Sequence, residues 1–149
     1  MNTNQLLDRL LLIDHEIQKL FWDTDFHFCD GFSLVLCPKD RDGRFRMQTM
    51  TEAAFFLLDF HALLAYLQEP VGRTYTLHLT ENNRYGYRSE DGSICEFHCG
   101  QPLEALIPDG DTLQWVRTRI EHDSSGFYLV GSHSTPLEGL TIRRRGRHL

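Results

Sequence analysis

The chain is poor in the features that announce a function. Its four cysteines among 149 residues, Cys29, Cys37, Cys95 and Cys99, lack the dense spacing of a secreted disulfide scaffold. The opening Met1-Asn-Thr-Asn has no basic stretch leading into an apolar core, because the run Leu-Leu-Leu-Ile at 10–13 gives way at once to Asp14, His15 and Glu16. No other apolar run approaches the ~20 residues that a bilayer crossing requires. These absences predict a soluble protein in a reducing, cytoplasmic setting with no membrane partner. There is no low-complexity tract and no internal repeat. No Gly-x-Ser-x-Gly elbow, phosphate-cradling glycine loop, dinucleotide fingerprint, His-Glu-x-x-His pair or deaminase signature occurs either. The eight histidines, His15, His27, His61, His78, His98, His122, His133 and His148, are scattered without a recurring partner. No catalytic residue and no cofactor is therefore expected; a cryptic enzyme, built from distant residues that leave no local motif, stays as an alternative.

What charge there is lies unevenly. The formal net charge is −6, and Arg143, Arg144, Arg145 and Arg147 sit within the final seven residues, so setting these four aside leaves the body at −10. An acidic body repels nucleic acid over most of its surface and favours partners that carry positive patches.

The residues present divide the chain into two kinds of pattern. Leu6, Leu10, Ile13, Ile17 and Leu20 recur at spacings of four and three, widened by Leu7, Leu11 and Phe21, which predicts an amphipathic helix over about residues 3–22. Two heptads are too few to argue a coiled coil, and the stripe reads as core rather than as a dimer seam. Period-two alternation then takes over at Phe32, Leu34 and Leu36 and resumes at Phe45, Met47 and Thr49, with Asp42-Gly43 between, predicting a β-hairpin over 32–50. Thr49 with Glu52 reads as a capping box that opens a second helix carrying Phe56, Phe60, Leu63 and Leu67 and ending before Pro70. Apolar on more than one face, that helix is expected to be sandwiched between the first helix and a sheet.

From Thr74 onward the pattern is β throughout. The run 74–80 alternates cleanly, and short β-type runs follow at 84–88, 94–98, 103–107, 113–121, 127–131 and 140–143, separated by Asn82-Asn83, Asp91-Gly92, Asp109-Gly110 and Ser125-Gly126. No linker separates the halves; the nearest candidate, 69–73, is too short for an independent hinge. The reading is α+β: a helix–hairpin–helix region over 1–72 packed beside a small β-barrel over 73–149 with a basic C-terminal tail.

The residues Arg84-Tyr, Gly100-Gln-Pro-Leu-Glu-Ala-Leu, Trp115-Val-Arg-Thr-Arg-Ile-Glu-His122, Gly126-Phe-Tyr-Leu-Val130 and Pro136-Leu-Glu-Gly-Leu-Thr-Ile-Arg143 carry a family likeness. Over about sixty C-terminal residues the chain resembles a family of small bacterial domains of unknown function seen in Gram-positive bacteria and their mobile genetic elements. The resemblance implies an SH3-like barrel and a mobile-element origin, and it carries over no catalytic residue. The N-terminal half resembles no family.

Two groups of residues offer binding chemistry. In a strand over 113–121, Trp115, Arg117 and Arg119 share a face with Leu113 and Glu121, while Val116 and Ile120 turn to the core. They form either an aromatic platform with two guanidinium forks for phosphate or carboxylate, or a set of cross-strand pairs with Glu121, Glu96 or Glu138. The tail residues Arg143, Arg144, Arg145 and Arg147 either clamp a phosphate backbone or acidic groove, or form a solvated terminus. Cys95, His98 and Cys99 are of zinc-ligand type, but on one strand His98 points away from the two cysteines, so no metal site is expected.

The function expected from these features is non-catalytic binding to a protein or ribonucleoprotein complex, through the Trp115, Arg117 and Arg119 face, the acidic N-terminal surface, or both. Its sharpest form is a mobile-element adaptor or inhibitor of a nucleic-acid-processing complex, anti-CRISPR-like in kind. Direct nucleic-acid binding through the arginine tail and barrel face is the alternative, with a cryptic enzyme or zinc protein third. The oligomeric state is left open.

Overall fold

A computed structural model of the protein describes residues 1–146. Two compact units follow one another along the chain, Met1–Gln68 and a second unit that begins at Glu69.

The first unit contains α1 (Thr3–Thr24), β1 (Phe26–His27), β2 (Gly31–Phe32) and α2 (Arg41–Gln68). A reciprocal cap starts α1: the Asn2 side chain accepts from the Gln5 amide at 2.9 Å and the Gln5 side chain accepts from the Asn2 amide at 2.9 Å. The helix ends where Asp25 turns left-handed at φ 48° and donates its N–H to the Phe21 and Trp22 carbonyls. Phe26 then stacks on Phe21 and packs against Phe32, each at 4.8 Å between ring centres.

The hairpin expected over 32–50 does not form. The only ladder of this unit is the two-residue pairing of β1 with β2, and residues 41–50 are the first three turns of α2. The cause is Asp40. Its carboxylate accepts from the Gly43 amide at 2.7 Å while its carbonyl accepts from the Arg44 amide at 3.1 Å, which is an N-cap. Asp42-Gly43 is therefore a first helical turn and not a hairpin turn. A Cβ at Gly43 would lie 2.4 Å from the Pro38 side chain, so glycine stands there to let Pro38 fold over the helix end. The capping box at Thr49 and Glu52 is likewise absent, since in mid-helix the Thr49 and Thr51 hydroxyls donate back to the Phe45 and Met47 carbonyls at 3.0 and 2.9 Å. Met47, Met50, Ala54 and Leu57 instead make one helical face that, with Leu20 and Phe32, lines an apolar cleft of about 340 Å³.

Between the helices Ile17, Ala54 and Leu64 are buried, and so is Asp14. The Asp14 carboxylate accepts from the His61 ring at 2.9 Å and from the Gln18 amide at 2.7 Å, so the buried charge is bonded and the helix pair is pinned in register. By length and composition α2 is apolar enough to cross a bilayer, with a mean hydropathy of 1.3 over eighteen residues of which 11% are buried. The sequence reading did not anticipate so long an apolar helix, because it divided this stretch between a hairpin and a shorter helix.

The second unit contains β3 (Val71–Thr76), β4 (His78–Leu79), β5 (Tyr85–Arg88), β6 (Ile94–Glu96), β7 (Pro102–Asp109), β8 (Thr112–Asp123), β9 (Gly126–Leu129) and β10 (Thr141–Arg145). They form a five-stranded antiparallel sheet in the order β3-β10-β7-β8-β9 and a three-stranded sheet β4-β5-β6. One core joins them, built on Leu77, Tyr87, Phe97, Leu103, Ala105, Ile120, Leu129, Leu137 and Ile142. A closed barrel is not formed. At Leu77 the chain leaves one sheet for the other, and there the Leu77 amide and carbonyl bond to Leu140 and Gly139 at 2.9 and 2.8 Å and not to a neighbouring strand. Among the described residues no ladder joins the two sheets. The basic tail is largely a strand: Arg143, Arg144 and Arg145 lie in β10, between β3 and β7, and Arg147 lies outside the described residues.

Gly86 marks the tightest approach of backbones in this unit. A Cβ there would sit 2.6 Å from the Cys95 carbonyl oxygen and 3.1 Å from the Glu96 Cα, and neither atom can move without parting β5 from β6. Gly86→Ala is expected to destabilise the second unit by about 2 kcal/mol, the scale of an overpacked core site. Urea unfolding followed by Trp115 fluorescence in a Trp22→Phe background measures it, and an unchanged midpoint contradicts it.

Candidate functional site

The sheet face opposite the core is where the second unit gathers its charge. Alternation along β8 puts Val116, Thr118 and Ile120 on the core side and Trp115, Arg117, Arg119 and Glu121 on the other. Pairing then sets the rows: Leu106 stands opposite Trp115, Glu104 opposite Arg117 and Pro102 opposite Arg119. On the far side of β7, Arg143 of β10 stands opposite the same Glu104. Arg143, Glu104 and Arg117 therefore run in one line across three strands.

Glu104 is the centre of this face. Its side chain is only 6% exposed, and it accepts from the Nε of Arg143 and, at 2.5 Å, from the Nε of Arg145. Charge-assisted bonds of this kind satisfy a carboxylate that burial alone would penalise. The Arg143 guanidinium also lies over the Trp115 ring, 4.1 Å from its centre, in a cation–π contact. Nearer the edge, Arg119 donates from Nε to Glu121 at 2.9 Å and keeps 51% of its side chain exposed. Arg144 points the other way: its guanidinium lies 5.7 Å from the centre of the Phe97 ring, on the core side. Burial pushes the Tyr87 phenol up, opposed by the hydrogen bond from Arg144.

Five of the sequence-predicted residues, Trp115, Arg117, Arg119, Arg143 and Arg145, are thus brought together, while Arg144 is set apart on the other face. Of the three glutamates weighed as cross-strand partners, only Glu121 meets one of these arginines. Glu96 accepts from Thr80 and Asn82 at 2.6 and 2.9 Å, and Glu138 accepts from the His78 ring and the Leu79 amide at 2.8 and 2.9 Å. These bonds hold both carboxylates below the usual range. The residue the sequence reading missed is Glu104. Its signal was a lone acid in Leu103-Glu-Ala-Leu-Ile, a strand otherwise apolar.

The cysteine and histidine set does not converge. Strand β6 ends at Glu96, Phe97 turns into the core, and His98 receives the Arg84 guanidinium at 2.5 Å while Cys99 is exposed. All four cysteines are free, and among the described residues no three metal-ligating side chains gather. What the arginine face offers is recognition: planar guanidinium forks match carboxylate or phosphate, and an indole beside them adds a flat apolar contact.

Replacing Glu104 by Gln is expected to cost about 3 kcal/mol, because it removes the buried negative charge to which the largely buried Arg143 and Arg145 guanidinium groups both donate. Thermal or urea unfolding measures this, and a loss under about 1 kcal/mol, the level of an exposed pair, contradicts it. A pH dependence follows from the turn after β5. Hydrogen bonds from Ser89 and Ser93 hold the Asp91 carboxyl at about 2, below its ordinary 3.8, so the folded state favours the ionised form. This contribution is fully present above the ordinary value and is lost as pH falls from about 4 to about 2, through the folded value. The Asp91 carboxyl carbon, followed by NMR through an acid titration, should show its midpoint near the lower figure.

Residues 75–144 match a family described as "Domain of unknown function (DUF5348)". No curated protein matches the chain. Among solved structures the chain is similar to a protein from Ruminococcus gnavus determined by the Northeast Structural Genomics Consortium, with 36% identity and a TM-score of 0.40 over 48% of this chain and 99% of that one. The family likeness read from the residues between Arg84 and Arg143 therefore holds as a likeness to a small domain of unknown function, DUF5348, over residues 75–144.

Proposed function

We propose that this chain is a non-catalytic binding protein whose second unit, an SH3-like arrangement of short sheets, grips an acidic surface of a macromolecular partner. The observation that carries the reading is the face on which Arg117 and Arg119 stand beside Trp115 and Arg143, with Glu104 fixing the arginines behind them. Side chains locked in this way lose little freedom on binding, which favours a specific partner over loose electrostatic attraction.

The partner we infer is a protein or ribonucleoprotein complex that processes nucleic acid, with the chain acting in the cytoplasm as a mobile-element adaptor or inhibitor of anti-CRISPR-like kind. Supporting a protein surface over bare nucleic acid, Glu104 and Glu121 each engage arginines of this face, and the whole chain carries −6. A long phosphate track needs a denser positive stripe than this. Direct nucleic-acid binding is the alternative that the test separates.

The test is capture from a lysate on the immobilised full chain, with and without nuclease, comparing the wild type with Arg117→Glu/Arg119→Glu after circular dichroism has shown the variant folded. The expected result is a partner retained through nuclease and lost at least about tenfold by the charge reversal, the effect of a central charged contact. Equal capture by the variant overturns the reading, and capture that vanishes with nuclease transfers it to nucleic acid.

A further inference from the structure

The first unit leaves half of its apolar pattern uncovered. Along α1 the stripe divides by heptad position: Leu10 and Ile17 lie toward the buried side, whereas Leu6, Ile13 and Leu20, spaced seven apart, are exposed. On α2, Met50 and Leu67 are exposed in the same way, each seven residues outside Leu57 and Phe60, which lie three apart. These five lie between 44% and 53% exposed, and Leu12, Phe56 and Leu63 on the same two helices are exposed as well. That is the exposure expected of side chains that occupy one side of a bundle core whose other side is not in place.

We infer that this face pairs with the same face of a second copy of the chain, joining two helical hairpins into an antiparallel four-helix bundle. Area is the first argument. At roughly 90 Å² apiece the five side chains expose on the order of 450 Å² of apolar surface, the size of the largest and often functional patch on a monomer and about half of the ~800 Å² per partner of a stable interface, the rest of which flanking atoms would supply. Charge is the second. Arg9 and Glu16 sit seven residues apart on the flank that borders Leu6, Ile13 and Leu20. In an antiparallel α1–α1 pairing centred near Ile13 that flank meets its own copy, so each Arg9 faces the other chain's Glu16 and the contact is made twice. Within its own chain Arg9 has no ion pair among the described residues, and Glu16 has only Lys19 at 3.4 Å on the exposed surface. The pattern is thus self-complementary in both apolar and charged positions.

Sedimentation velocity of the full chain across about 1 to about 100 μM, where micromolar dimers dissociate, tests the inference. The wild type is expected to approach twice the monomer mass. Ile13→Glu, at a residue the monomer leaves half-exposed, should stay monomeric with its helical circular dichroism intact. Arg9→Glu alone and Glu16→Arg alone should each raise the dissociation constant about threefold or more, and the double exchange should restore it. A wild type that is monomeric throughout overturns the inference, as does a dimer indifferent to Ile13→Glu or to the charge exchange. A monomer that floats with phosphatidylcholine–phosphatidylglycerol vesicles overturns it in favour of a lipid surface.

Discussion

The second unit is organised around one buried carboxylate. Glu104 lies in β7, between β10 and β8, and holds arginines from β10 on a face that the apolar core does not reach. A carboxylate placed there without partners would be costly, and arginines placed there without a carboxylate would repel one another. Together they give the sheet a charged seam that fixes which residues of β10 stand opposite which residues of β7. The same seam sets Arg143 over Trp115, and Arg119 on the same face stays half exposed, so the surface proposed for recognition follows from the stabilising pair.

The two units solve opposite problems. In the second, strands from either end of the unit pack on a shared core, and the polar groups at its margins are tied by short side-chain bonds such as Thr80 and Asn82 to Glu96. In the first, two long helices meet along one narrow stripe, pinned by the Asp14 and His61 pair, and the short β1–β2 ladder of this unit leaves Leu6, Ile13 and Leu20 about half exposed. A unit of this size buries a modest fraction of its surface even when well packed. The apolar residues on its outside are therefore a structural demand for a further surface, and the heptad spacing of those residues describes its geometry.

Much of the β half was legible because period-two alternation and turn pairs act locally. The turns at Asp91-Gly92 and Asp109-Gly110 fall where the residues placed them, and β8 puts Trp115, Arg117 and Arg119 on one face as alternation requires. The segment 32–50 was misread because Phe45, Met47 and Thr49 satisfy a strand period as well as a helical one over so few residues, and Asp40 rather than Asp42-Gly43 decided the outcome. Periodicity places the first helix correctly and assigns its stripe to core rather than to a dimer seam, whereas Leu6, Ile13 and Leu20 are about half exposed. Periodicity states that a face is apolar and is silent on whether another element of the same chain covers it.

By itself the sequence determined the first helix and the later part of the second, the cadence of short strands after Thr74, and the likeness to a small domain of unknown function, since all of these rest on neighbours a few residues apart. Only the tertiary structure decided that Glu104 joins the arginines of β10 in a single charged line with the β8 face, and that Leu6, Ile13 and Leu20 remain in solvent. Glu104 and Arg143 lie 39 residues apart in the chain, and no local pattern encodes a pairing at that distance. It is fixed when strands of distant sequence choose a common register, because only then does a buried charge find its partner.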